Sequence, residues 1–214
     1  MRAVPVPFGA VLLDTFQPIT SEMLDGLQGF TLPGTRTGIT GFIRYPENMT
    51  LQELTRLLAA GYLVLPVGTS RPNGYIPSAA AGAQDATREL ARLKLLGFLT
   101  GITLGCDLEG MGGTVQNTVD YANAQASTIL DGGNYPMAYV GAGVPLNAAE
   151  LYALSDVLYW HSLSNVPDVL VCDYAMLQGY PTQTFALAGG TVLTADVNFV
   201  YRDKKGRGPI AASQ

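Results

Sequence analysis

Histidine and tryptophan occur once each in this chain, at His161 and Trp160, and cysteine only twice, at Cys106 and Cys172. A single histidine leaves no histidine-rich metal centre, and no spacing supports a Ser-His-acid arrangement; His161 reads as a packed or hydrogen-bonded residue. The two cysteines lie inside apolar segments, show no zinc-type spacing and read as buried free thiols. Charge is also scarce, at 14% of residues, with a formal net charge of −5. The one basic run, residues 202–207 (RDKKGR), reads as part of a solvated tail over 202–214. It is too small to be the basic footprint that nucleic acid requires, so no nucleic-acid partner is expected. No apolar run reaches membrane-spanning length, and the opening MRAVPVPFGAVLLD is broken by prolines and unlike a signal peptide. The expectation is a soluble protein without a membrane span, phage-encoded or exported by a non-classical route.

What remains is plentiful apolar sequence: 48% hydrophobic residues in a chain of 214, enough for one domain, 1–214, with a full core. Short apolar runs bounded by Gly, Pro or Asp predict strands at 10–14, 39–45, 63–68, 102–107, 137–141, 157–161, 174–178 and 193–196. Helical spacing predicts helices at 21–27, 50–60, 78–96, 114–130 and 147–154. Thr50 followed by Glu53 suggests a capping box, and glycines at 61 and 97 end two of the helices. Eight strands alternating with helices predict a compact α/β protein, a (β/α)8 TIM-type barrel with short or missing helices in its last third. A doubly wound open sheet is the competing fold. It would lack its Gly-x-Gly-x-x-Gly turn after the first strand, and acids on its first and last strands could not converge.

Three strands end in acids: AVLLD at Asp14, TGITLGCDLEG at Asp107 and Glu109, and TVLTAD at Asp196. Ionised groups are costly beside an apolar core, and a barrel would gather all of these at its C-terminal face. Crowding of carboxyls pushes one toward its protonated form. A protonated carboxyl beside an ionised one is the equipment for cleaving a glycosidic bond. Glu109 is then the candidate general acid/base, Asp107 its tuning or substrate-orienting neighbour, and Asp14 and Asp196 the remaining catalytic acids. No metal or other cofactor is required. The alternative is a divalent cation held by the same four acids, though no phosphate-cradling loop or placed Lys accompanies them.

Arg44, Tyr45, Tyr139, Trp160, Gln178 and Asn198 also fall at strand ends and are candidate substrate-binding residues. Arg44 is expected to pair with one of the acids and hold it ionised. Trp160 serves equally well as core filler or as a platform for a sugar ring. Tyr45 and Tyr139 suit packing roles, with hydroxyls able to polarise an acetamido group. A bland reading stands beside these: Asp107 caps the next helix and Glu109 meets solvent.

The order of Asp14, Arg44-Tyr45, the Thr50-x-x-Glu53 helix start and Gly82-x-x-Asp85-Ala86 resembles the glycoside hydrolase-like domain family of unknown function typified by a mycobacterial secreted protein. That family is similar in turn to the family-25 lysozymes. The resemblance implies a barrel, a peptidoglycan substrate, Glu109 as the acid with Asp107 assisting, and Asp14 and Asp196-x-Asn198 as the first- and last-strand motifs. Trp160 and Gln178 match the tryptophan and glutamine strands, while Leu12 stands where the lysozymes carry glycine before the first Asp. The resemblance thus points to a lysozyme-like muramidase, of the kind found in phage lysins. A catalytically inactive barrel that binds glycan or cell wall is the alternative from another class.

Overall fold

Apolar residues buried on both faces make these short runs into central strands rather than surface ones. Gly41–Arg44 is buried along its whole length, as is Thr103–Asp107. In the computed structural model, which describes residues 1–33, 37–68, 71–155, 157–169 and 172–214, the strands are β1 (Arg2–Pro5), β2 (Val11–Asp14), β3 (Gly41–Arg44), β4 (Leu63–Pro66), β5 (Thr103–Asp107), β6 (Tyr135–Val140), β7 (Leu158–His161), β8 (Met176–Ala186), β9 (Val192–Val200) and β10 (Ile210–Ser213). The helices are α1 (Ser21–Leu27), α2 (Leu51–Ala59), α3 (Ala79–Leu95), α4 (Val115–Asp131) and α5 (Ala148–Tyr152).

The strands form one ten-stranded sheet in the order β1-β10-β4-β3-β2-β9-β8-β7-β6-β5. Beyond β4 the ring is closed by a parallel bridge between Val67 and Gly105, where the Gly68 amide donates to the Gly105 carbonyl at 2.8 Å. The eight strands β2 to β9 therefore make the barrel, and each overlaps one of the strands expected from sequence, although β8 and β9 run on to Ala186 and Val200. The terminal strands β1 and β10 pair with each other and lean on β4 at Ala212–Val64. Below the bridge, the Ile210 amide reaches Thr103 Oγ1 on β5 at 2.9 Å.

Two features differ from the expectation. Strand β9 is antiparallel to both neighbours, because it returns from β8 through a short turn at Ala188–Gly190 instead of a helix. Asp196 thus lies in the middle of β9, facing Asp14 across the ladder, and not at a C-terminal strand end. Residues 202–214 are also not a solvated tail: β10 belongs to the sheet, with Ala211 and Ala212 fully buried. The run Ile-Ala-Ala-Ser is too short and too weakly apolar to signal a strand, and its pairing with β1 and β4 supplies what propensity does not.

Helix ends follow their caps. Thr20, Thr50, Ser78 and Thr114 each accept a backbone N–H of the first turn, and Thr114 and Asn147 complete reciprocal capping boxes. At α2 only half of the expected box forms, since Thr50 accepts the Glu53 amide while the Glu53 carboxylate turns to Arg44.

The core has three parts. Leu12, Ile43, Leu65, Met137, Leu158, Trp160, Met176 and Val200 fill the barrel interior, while residues of opposite strand parity, such as Leu13, Phe42, Val64, Leu104 and Val197, pack outward under α1 to α3. A further cluster holds α4 and α5 against β6 and β7. Filling the lower barrel with aliphatic and aromatic side chains leaves the polar chemistry to the upper rim.

Candidate functional site

The upper end of the barrel opens into a cavity of about 470 Å³ lined by Asp14, Tyr45, Asp107, Glu109, Tyr139, Trp160 and Asp196 among others. All four candidate acids therefore meet at one cavity, together with three of the six candidate substrate-binding residues, Tyr45, Tyr139 and Trp160. A second cavity of about 340 Å³ lies against the same pair of acids, lined by Arg71, Asn73, Asp107, Glu109, Ala142 and Gly143. Asp107 and Glu109 sit on the boundary between the two.

Strand alternation explains the placement. Asp107 ends β5 with its side chain inward, Leu108 points outward and is fully buried, and Glu109 emerges exposed at the rim. Asp107 Oδ1 accepts the Glu109 amide at 2.8 Å, and Glu109 Oε1 accepts the Ala142 amide at 3.2 Å. The Glu109 side chain lies over Gly141, where an added Cβ would stand 2.5 Å from Glu109 Cβ. Asp107 thus holds the turn that carries Glu109, and does not cap the next helix, whose cap is Thr114.

Asp14 and Asp196 are direct partners across the β2–β9 ladder, and each has a buried oxygen without a hydrogen-bond partner. Burial pushes the Asp14 carboxyl from 3.8 up to about 8, with the charge of Asp196 adding to it, Arg44 opposing and Asp107 adding further. Burial also pushes Asp107 up to about 7; the hydrogen bond from the Glu109 amide opposes this, and the charge of Glu109 contributes to it. The carboxyls that burial drives toward protonation are thus Asp14 and Asp107.

The floor of the cavity is hydrogen-bonded. Trp160 Nε1 donates to Asn198 Oδ1 at 2.9 Å, and the Tyr139 hydroxyl donates to Gln178 Oε1 at 3.0 Å. The Tyr139 and Trp160 rings are 4.4 Å apart. Asn198 is fully buried and Gln178 nearly so, so both support the aromatic residues from below instead of lining the cavity. His161 points away from Trp160 by strand alternation; its Nδ1 contacts the Ser162 carbonyl and its ring meets the edge of Tyr174.

Arg44 lies outside the cavity. One residue from inward-facing Tyr45, it points to the opposite face of β3, is fully buried, and binds Glu53 at 3.0 Å and the Thr15 carbonyl. The expected pairing with a strand-end acid is replaced by this ion pair with α2, and a substrate cannot reach it.

Several further residues line the two cavities. Phe16 is exposed, stacks on Tyr45 with ring centroids 4.1 Å apart, and forms a wall with Thr15 and Gln17. Its signal is its position two residues after the first acid, in DTFQ. Arg71 and Asn73, on the loop after β4, bear no sequence pattern that would mark them. Among the described residues no group of three or more His, Cys, Asp and Glu is placed so as to hold a metal ion, the arrangement the alternative metal reading needs. Among them, too, no helix is long and apolar enough to cross a membrane.

No family model and no curated protein matches the chain. Solved structures do. An uncharacterized protein of B. stearothermophilus superposes with a TM-score of 0.70 at 16% identity, over 91% of this chain and 97% of that one. The Tat-secreted protein Rv2525c of Mycobacterium tuberculosis, solved with L-tartrate, gives 0.63 at 16% identity, over 92% and 97%. The modular autolysin LytC of Streptococcus pneumoniae, in complex with a synthetic peptidoglycan ligand, gives 0.57 at 14% identity, over 90% of this chain and 47% of that one. At these identities the likeness is one of fold.

Proposed function

We propose that this protein is a glycoside hydrolase acting on peptidoglycan, a muramidase whose acid/base residue is Glu109. The observation that carries the reading is the position of Asp107 and Glu109 on the boundary between two cavities, where a polymer lying across both presents one linkage to the pair. The fold shared with a cell-wall autolysin solved with a peptidoglycan ligand supports the choice of polymer.

Near neutral pH burial keeps a proton on much of Asp107, whose carboxyl is raised to about 7. Glu109, the exposed member of the pair, delivers a proton to the glycosidic oxygen as the bond from the anomeric carbon to it breaks. The surrounding acids face the cationic character that develops on the sugar ring. Water then adds to the anomeric carbon and its proton returns to Glu109. Asp107 tunes Glu109 and orients the acetamido group, while exposed Phe16 and half-buried Tyr139 offer rings to the sugar, backed by buried Tyr45 and Trp160.

The test is release of reducing ends from purified peptidoglycan by wild type and Glu109→Gln. Loss of a general acid lowers turnover by about 10²–10⁴-fold. A wild type that binds walls from several bacterial sources but releases nothing from them would make this a glycan-binding barrel instead. An unimpaired Glu109→Gln would move the acid to another residue.

A further inference from the structure

The end of the barrel opposite the acids carries the opposite charge. Residues 202–207 hold four cations and one acid in a chain of net charge −5. They are a built loop: buried Asp203 accepts the Lys205 and Arg207 amides at 2.9 and 2.8 Å and Arg207 Nε at 2.8 Å, and the Lys204 amide binds the Cys172 carbonyl at 2.8 Å. Arg207 is neutralised by Asp203, and Lys204 lies 3.9 Å from Asp173 at the surface. Arg202, by contrast, donates to the Val6 and Tyr201 carbonyls, which hold the guanidinium in place without cancelling its charge.

Beside this loop is a cavity of about 330 Å³ at the lower end of β5 to β7, walled by Tyr135, Pro136, Leu158 and Ile210 and edged by Arg202 and Arg207. Phe8, 68% exposed, stands edge-on to exposed Tyr201 at 6.0 Å, directly before Arg202. Cations, exposed aromatic rings and an apolar-walled recess thus share one face. A polyphosphate chain would use the cations alone; a lipid headgroup with its acyl chain uses all three, since aromatic residues settle at the membrane interface and Lys and Arg are drawn to anionic headgroups.

We propose that this basal face docks the protein peripherally on an anionic lipid surface, with Lys204, Lys205 and Arg202 meeting headgroups and Phe8 and Tyr201 entering the interface. Docked this way, the acidic cavity at the other end of the strands points away from the membrane, which its charge also favours.

Sedimentation of the full chain with vesicles tests this. The protein should pellet with vesicles of equal phosphatidylglycerol and phosphatidylcholine, not with phosphatidylcholine alone, and salt should weaken the binding. Lys204→Glu with Lys205→Glu should weaken it about tenfold or more; Phe8→Ser should weaken it severalfold, and Lys204→Arg with Lys205→Arg should retain it. Unchanged circular dichroism and melting of these surface variants identify the loss as one of docking. No pelleting with anionic vesicles overturns the proposal. So does binding that soluble polyphosphate displaces and Phe8→Ser leaves intact, which would assign the face to an anionic polymer.

Discussion

Asp14 and Asp196 face each other as register partners across the antiparallel β2–β9 ladder, each with one buried oxygen that no donor satisfies. Directly opposed like charges destabilise a sheet, and here burial and the Asp196 charge drive the Asp14 carboxyl up to about 8. The polar rim therefore strains a barrel whose lower half is well packed.

A stability consequence follows with a definite sign. Between its ordinary value of 3.8 and about 8, Asp14 binds more proton in the folded than in the unfolded chain. Folding is favoured at the acid end of that window and loses this advantage as pH rises through it. Asp107, raised to about 7, acts in the same direction. Thermal melts should fall from pH 5 to pH 8. Asp14→Asn should flatten that fall and raise stability at pH 8 by about 1–3 kcal/mol, because the amide is neutral and can donate to Asp196. A wild type whose melting is independent of pH across this window would contradict the assignment.

Activity should carry the signature of the Asp107–Glu109 pair. Asp107 is protonated below its raised value of about 7 and ionised above it, so the neighbour that tunes Glu109 changes charge there. Cleavage of peptidoglycan should therefore fall as pH rises through about 7, and Asp107→Asn should remove that alkaline limb or displace it. A limb that stays in place in Asp107→Asn would separate Asp107 from the titration.

The strands were legible because their apolar residues are buried on both faces, and so were the acids, because an ionisable group at the end of such a run has few structural reasons to be there. Direction and parity were harder to read. Asp196 looked like a strand end, since sequence alone does not show that β9 doubles back from β8. Arg44 and Tyr45 looked like one motif, yet neighbouring residues on a strand face opposite ways, and the partner of Arg44 lies on a helix nine residues on. Phe16, Arg71 and Asn73 are loop residues whose positions depend on tertiary packing, and no local periodicity marks them.

Gly141 should prove as important to Glu109 as any polar neighbour. The Glu109 side chain passes directly over it, and a methyl group there would lie 2.5 Å from Glu109 Cβ. Gly141→Ala must displace either the end of β6 or the carboxylate, and misplacing a catalytic group by about 1 Å can lower turnover on the order of 10²-fold. The expected result is a large loss of turnover with binding of peptidoglycan retained. Full activity in Gly141→Ala would show that Glu109 need not occupy this position to act.

The last prediction separates Arg44 from substrate binding. Its guanidinium and the Glu53 carboxylate are both almost wholly buried, 3.0 Å apart, and Glu53 also accepts the Ile19 amide at 3.1 Å. Removing one member strands the other charge in the core, so Arg44→Met should destabilise the fold by about 3–5 kcal/mol. Replacing both, Arg44→Met with Glu53→Leu, leaves no stranded charge and should recover most of that loss, apart from the unsatisfied Thr15 carbonyl and Ile19 amide. The guanidinium also lowers the Asp14 carboxyl, so the double variant should move the stability window of Asp14 to higher pH. Its KM for peptidoglycan should remain unchanged, because the arginine never meets the cavity. A raised KM in a stably folded double variant would return Arg44 to the binding site.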